Sequence, residues 1–221
     1  MKRQNKFGTG NRKLALESLE CRHMLTSIGL TDDGLVHVEG TEEADNISVY
    51  VAEERLVGEV NGATTTFNNA HVTGLHVEAN GGDDTVVVDS SVVQPTLIFG
   101  GMGDDTIQGG AGVDVILGGS GNDTILCNTA NDILLGDGPN SLAEVPVPQP
   151  NEAGLDAAAD AQVVVDIAPV DPSDPDTDPL ALQKYLSRIS NINEGSDTIV
   201  GGPGHDMIFA GRQNDRAAGD G

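Results

Sequence analysis

The sequence predicts an all-β chain, a solenoid of stacked short strands with a strand-rich N-terminal cap and a disordered insert. Three observations predict it. A nine-residue pattern recurs with Asp at its sixth position and an apolar residue at its eighth. With 29 Gly, 3% aromatic residues and no Trp, the chain has too few large side chains for a thick layered core. Finally, 35 Asp and Glu against 11 Lys and Arg give a net charge of −24. The 221 residues leave room for one ordinary domain with appendages. Binding to nucleic acid or an anionic membrane relies on Lys and Arg releasing counterions, so neither is an expected partner and cations are. No stretch reaches the roughly 20 apolar residues of a membrane span.

Residues 1–27 form a separate basic segment, because Lys2, Arg3, Lys6, Arg12, Lys13 and Arg22 are six of the eleven bases. Residues 11–25, NRKLALESLECRHML, fit either a short amphipathic helix or a solvated terminus. The early bases are not followed by the apolar core of an ordinary signal peptide. Leu19 to Leu25, LECRHML, resembles the Leu-Glu-Pro-Arg-x-Leu-Leu element of large exported bacterial surface proteins, with Cys21 at the Pro position and Met24 at a Leu. That resemblance implies a secreted, extracellular or cell-surface protein. Cys21 and Cys127 lie in unlike contexts and read as two free thiols.

Residues 28–78 read as a β-rich leader. The alternating runs LVHVEG, NISVYV, RLVGEVNG, TTTF and HVTGLHVEANGG predict strands, with a tight turn at Asn61-Gly62. Gly40 to Ser48, GTEEADNIS, carries Asp45 and Ile47 at the sixth and eighth offsets and reads as a degenerate leading unit. A solenoid needs such a cap to cover its first apolar end and open edge. His76 alternates with Val77 and is expected to face solvent.

The repeats occupy residues 79–138 and resume at 192–221. The units are ANGGDDTVV, GGMGDDTIQ, GGAGVDVIL, GGSGNDTIL, CNTANDILL, INEGSDTIV, GGPGHDMIF and AGRQNDRAA. Their sixth positions are Asp84, Asp105, Asp114, Asp123, Asp132, Asp197, Asp206 and Asp215. Their eighth are Val86, Ile107, Ile116, Ile125, Leu134, Ile199, Ile208 and Ala217. Glycines permit tight turns with positive φ, and the tail of each unit is a short strand whose eighth side chain points inward. One unit cannot bury that side chain alone, but stacked units can.

Two units per coil make residues 18 apart neighbours: Asp105 with Asp123, Asp114 with Asp132, Asp197 with Asp215. At roughly 4 Å and an effective dielectric near 20, each carboxylate contact costs on the order of 4 kcal/mol. A hard divalent cation relieves that repulsion. Ca²⁺ accepts about six to eight oxygens in flexible geometry, whereas Mg²⁺ wants a strict octahedron and keeps its waters.

Gly100 to Leu126 resembles the GGxGxDxUx repeat of haemolysin-type, or repeats-in-toxin (RTX), proteins. The resemblance implies a right-handed parallel β-roll with Ca²⁺ between successive turns. Strand-rich leaders similar to residues 30–78 also precede RTX repeats in exported bacterial proteins. The resemblance further implies a ligand loop at Gly100, Gly101, Gly103, Gly109, Gly110, Gly112, Gly118, Gly119, Gly121, Gly201, Gly202 and Gly204, together with the eight Asp. Cys127, Asn128, Ala130 and Gln213 replace loop glycines, and Arg216 adjoins Asp215, so sites built from those turns are expected to be weak or empty. The final Gly-Asp-Gly reads as the start of a further unit and suggests a frayed or truncated end.

Residues 139–191 hold eight of the ten prolines and the run APVDPSDPDTDP, and read as a disordered insert. Leu180 to Ile189, LALQKYLSRI, fits a short amphipathic helix. The insert reads first as a tolerated surface excursion and second as a site for a cell-surface or matrix partner. If it counts as one turn, Asp132 and Asp197 stack across it. His37, His71, His76 and His205 lie in no HExxH pattern and Ser90 and Ser91 in no GxSxG elbow, so no enzyme is expected. The function expected is calcium binding by a secreted or surface β-roll that folds after export. The alternative is a split or truncated portion of a larger RTX enzyme or adhesin in which the roll assists secretion.

Overall fold

The structure, a computed structural model, describes residues 27–141, 195–211 and 213–220. The LECRHML motif and the Leu180–Ile189 stretch lie outside the described residues. The described strands are β1 (Ser27–Leu30), β2 (Leu35–Glu39), β3 (Asn46–Ala52), β4 (Arg55–Val60), β5 (Ala63–Asn68), β6 (Gly74–Glu78), β7 (Thr85–Val88) and β8 (Thr96–Met102). They continue as β9 (Thr106–Gln108), β10 (Asp114–Ser120), β11 (Thr124–Leu126), β12 (Ile133–Asp137), β13 (Thr198–Pro203), β14 (Met207–Phe209) and β15 (Arg216–Asp220).

Because each unit ends in one short strand, the chain alternates between two sheets. One has the order β1-β2-β6-β8-β10-β12-β14 and the other β15-β13-β11-β9-β7-β3-β4-β5. The stacked coils pair in parallel, the arrangement of a β-roll. The N-terminal end is closed differently, by antiparallel strands. β1 covers the free edge of β2, and the β4–β5 hairpin continues the other sheet beyond β3. Its Asn61-Gly62 turn has φ of 52° and 82°, the two positive angles of a tight hairpin turn.

The parallel register aligns the eighth positions into two facing columns. Val38, Val77, Ile98, Ile116, Leu134 and Ile208 follow one another in the first sheet. Ile47, Val86, Ile107, Ile125, Ile199 and Ala217 do so in the second. All are buried except the last members, Ile208 being half-buried and Ala217 exposed. This column is the narrow core, and truncating an interior Ile to Ala costs about 2–5 kcal/mol in such packing.

The two outer faces differ. The second sheet turns Thr106, Gln108, Thr124 and Thr198 outward, and they stay exposed or half-exposed. The first sheet aligns Leu97, Val115 and Ile133 in one outer row and Phe99, Leu117 and Leu135 in another, all buried. These six stand apart from the central hydrophobic cluster. In the first two coils the same rows carry His37, His76, Glu39 and Glu78. His76 is 6% exposed, which overturns the expectation that it faces solvent. It lies edge-on to Phe99 and in register with Leu97, so the apolar rows continue onto its ring.

Tight stacking explains the glycines. A Cβ on Gly121, whose φ is +133°, would collide with the Gly103 carbonyl one coil earlier. Ala130 and Gln213 stand at the same fourth position and are held at φ of 106° and 94°. The turn geometry therefore survives where its residue type does not, at a local cost of roughly 1–3 kcal/mol per strained residue. Two outcomes follow for denaturation midpoints in Ca²⁺-containing buffer. Ala130→Gly is expected to stabilise the fold by about 1 kcal/mol through release of this strain. Gly121→Ala is expected to lower the midpoint sharply.

Candidate metal centre

The turns that lead from the first sheet to the second stack on one side of the roll, and those that return stack on the other. In the turns that begin with glycine, the sixth-position Asp points inward, where that glycine leaves room. Its Oδ2 lies 2.5 Å from where a Cβ on Gly100 or Gly109 would be, from Asp105 and Asp114 respectively. Glycine at position one thus makes space for a carboxylate.

The carboxylates form two ladders. On the first side the backbone N–H of Asp45 donates to Oδ1 of Asp84 (2.7 Å), Asp84 to Asp105 (2.8 Å) and Asp105 to Asp123 (2.9 Å). Asp123 then donates to Asp197 (2.9 Å) and Asp197 to Asp215 (3.1 Å). On the second side Asp114 donates to Asp132 and Asp132 to Asp206, both at 3.0 Å. The pairs expected 18 residues apart all stack, and Asp45 heads the longer ladder.

The expected pairing of Asp132 with Asp197 does not form. Asp197 stacks on Asp123 and Asp206 on Asp132. The cause is where the insert leaves the coil. Gly136 and Asp137 fill positions one and two, and Gly195, Ser196 and Asp197 fill four to six of the same turn. Asp197 accordingly lies against Gly136, and Gly195 against the Gly121 carbonyl. The insert replaces a single third position and leaves the coil count unchanged.

A second set of contacts escaped the sequence reading. Fifth-position N–H groups bond in the opposite direction, Asp104 to Asp83 (3.0 Å) and Asn122 to Asp104 (2.8 Å). Ser196 donates to Asn122 (3.0 Å) and His205 to Asn131 (2.9 Å) in the same way. The signal was present in the sequence, since five of the eight units carry Asp or Asn at position five: Asp83, Asp104, Asn122, Asn131 and Asn214.

Below the heads of the two ladders, Asp45 and Asp114, each ladder Asp thus spends one oxygen on the neighbouring coil. The other is stranded: Oδ2 of Asp84, Asp105, Asp123, Asp132, Asp197 and Asp206, and both oxygens of Asp114, are buried without a hydrogen bond. Buried unpaired carboxylates are costly unless paired or bound to metal. Burial pushes the pKa of Asp84, Asp114 and Asp123 up to about 8 and that of Asp105 to about 7, with neighbouring carboxylates adding to the rise. For Asp132 and Asp197 burial raises it to about 6, against the lowering effect of the N–H groups of Asp114 and Asp123.

The glycine substitutions act locally. Asn80 and Asn128, at position two, donate from Nδ2 to the Gly40 and Gly109 carbonyls of the preceding turns at 3.2 and 2.7 Å. The Cys127 thiol, at position one, gathers with Asp114 and Asp132, ligand atoms within 4.8 Å, and is free of any disulfide. Burial and those carboxylates push its pKa up, so it remains protonated. Turns 100–105 and 118–123, with glycines at positions one, two and four, face one another with their carbonyls free of such side chains. Stranded carboxylate oxygens beside backbone carbonyls make an all-oxygen donor set, which suits Ca²⁺.

The raised pKa values fix how the metal-free fold responds to pH. Between the unfolded value of 3.8 and the folded values of about 6 to 8, the folded state holds protons that the unfolded chain releases. Their stabilisation is complete below the unfolded value and is lost as pH rises through the folded ones. In EDTA, the denaturation midpoint is expected to fall as pH rises from 5 until the fold is lost near neutral pH, and saturating Ca²⁺ to restore the fold at pH 8.5. An EDTA midpoint that rises with pH would contradict the raised values.

No helix among the described residues is long and apolar enough to cross a membrane. The family model of the RTX calcium-binding nonapeptide repeat (4 copies) matches residues 97–125 and 192–221. These segments contain Asp105, Asp114, Asp123, Asp197, Asp206 and Asp215. Neither a curated protein nor a solved structure matches the chain. The glycine turns and the ladder aspartates at residues 97–125 and 192–221 are thus similar to RTX calcium-binding nonapeptide repeats.

Proposed function

We propose that this protein is a non-enzymatic Ca²⁺-binding β-roll whose folding is coupled to the metal, and that it works outside the cell. The stranded Oδ2 atoms of the ladder aspartates carry this reading. Asp105 and Asp123, with the carbonyls of turns 100–105 and 118–123, are the proposed principal holders, with Asp84 and Asp197 extending the site along the ladder. Asp114, Asp132 and Asp206 serve the second side, where Cys127 and Asn128 crowd the turn and weaken it. Asp215 and the glycines at Gly201, Gly202 and Gly204 contribute at the C-terminal coils.

A bound Ca²⁺ supplies positive charge to which carboxylates and carbonyls donate lone pairs. The chain's own groups do the rest. At neutral pH the ionised carboxylates repel one another and hold the metal-free coils open. At Ca²⁺ near 10⁻⁴ to 10⁻³ M, typical of extracellular modules, their neutralisation lets the N–H to Oδ1 ladder close. A low-calcium cytoplasm keeps such a chain loose and an extracellular medium folds it, which supports export before folding. The ladder carboxylates are enclosed and bonded between coils, which suits a structural role better than a catalytic one.

Calcium titration of the full chain, followed by circular dichroism, tests this reading. β signal is expected to appear with Ca²⁺ and vanish with EDTA at pH 7.5, and β signal indifferent to EDTA would overturn it. Asp123→Asn keeps the Oδ1 acceptor and removes the charge. It is expected to raise the calcium midpoint roughly tenfold, since affinity follows ligand charge.

A further inference from the structure

A second cluster of metal-ligating side chains lies away from both ladders, on the outer face of the first sheet. The tripeptide His-Val-Glu occurs twice, at His37–Glu39 in β2 and His76–Glu78 in β6. Alternation along a strand puts each His and Glu on one face. The parallel register then sets His37 beside His76 and Glu39 beside Glu78. Ligand atoms of His37, His76 and Glu78 lie within 4.8 Å of one another, with the two imidazole centroids 4.8 Å apart. His76 Nε2 is 3.3 Å from Glu78 Oε1, yet it is buried without a hydrogen bond. Glu39 accepts a bond from Ser27 Oγ at 3.1 Å.

We propose that His37, His76 and Glu78 form a site for a borderline divalent transition ion, Zn²⁺ in the first instance, which ties the first coil of the roll to the second. Two imidazoles and a carboxylate are a zinc donor set, and imidazole does not suit Ca²⁺. The separations are somewhat wider than a bound ion requires, so small side-chain rotations would bring the three donors together. Their place in the fold is specific. Later coils fill the same two rows with Leu97, Phe99, Val115 and Leu117, so the His and Glu pairs occur only where the cap begins. The ion would fasten the parallel β2–β6 joint between the first two coils, one strand in from the capping β1.

The experiment uses the full chain, stripped of metal and then held in millimolar Ca²⁺ so that the ladders are occupied. Zn²⁺ alone is added and dialysed, and retained zinc is counted. The expected result is one Zn²⁺ per chain, retained in Cys127→Ser and lost in His76→Gln and His37→Gln. Co²⁺ is expected to give the strong visible absorption of a four-coordinate site in the wild type and not in the two His variants. Calcium-induced circular dichroism verifies folding. Should His76→Gln fail to fold, His37→Gln, at a half-exposed position, decides alone. Zinc that Ca²⁺ displaces, zinc that both His variants retain, or zinc that only Cys127→Ser loses would overturn the proposal, as would no retained zinc at all. None of these results bears on calcium-coupled folding, which is read without zinc.

Discussion

One buried contact organises every coil: a carboxylate oxygen that accepts the backbone N–H of the aspartate one coil earlier. It sets the phase of the turn and fixes the axial spacing. It also crowds position one, where the carboxylate lies in the space of a Cβ at Gly100, Gly109 and Gly118, although Ala79 and Cys127 are accommodated there. The same contact leaves the second oxygen enclosed, so each coil added to the stack strands another. The acidity of the chain is therefore not spread evenly over a surface. Part of it is a pair of buried lines of carboxylates, which are costly to enclose unless protonated or paired with a cation.

This arrangement explains how so thin an interior suffices. Each coil contributes two inward apolar side chains, and a column built from Val86, Ile107 and Ile125 facing Ile98, Ile116 and Leu134 is too narrow to rely on area alone. Backbone pairing in two sheets and stitching at two turns per coil supply the remainder, with fifth-position bonds running against sixth-position ones. The two sheets are inequivalent outside as well. One presents threonines to water, while the other buries Phe99, Leu117 and Leu135 on its outer face, giving the roll a wet side and a dry side.

Much of this was legible in the sequence because a strict period converts directly into neighbours. Nine residues per unit and two units per coil are enough to pair Asp105 with Asp123 and Asp114 with Asp132. The leader was legible through strand alternation and the Asn61-Gly62 turn. The phase of the insert was not. Its entry, Gly136-Asp137-Gly138, resembles the start of a unit, and only the contacts of Gly195 and Asp197 show that the interrupted turn is completed afterwards. The burial of His76 was equally hidden, since alternation tells which face a residue takes and not what that face meets. The dry outer face did leave a trace, in the apolar seventh and ninth positions of GGAGVDVIL and CNTANDILL.

The insert also gives the stack a single seam. Elsewhere between consecutive repeat coils the ladder bonds join residues 18 or 21 apart, but Asp123 to Asp197 and Asp132 to Asp206 span 74. Loop-closure entropy grows only with the logarithm of length, so this seam costs about 1 kcal/mol more than its neighbours. The thermodynamic burden is small, and the kinetic one falls on the order of assembly. Coils up to β12 can zip from the cap through local contacts, whereas β13 to β15 must find their partners through a long-range encounter. A roll that is uniform in geometry is thus divided in time, with a nucleated front and a docking rear.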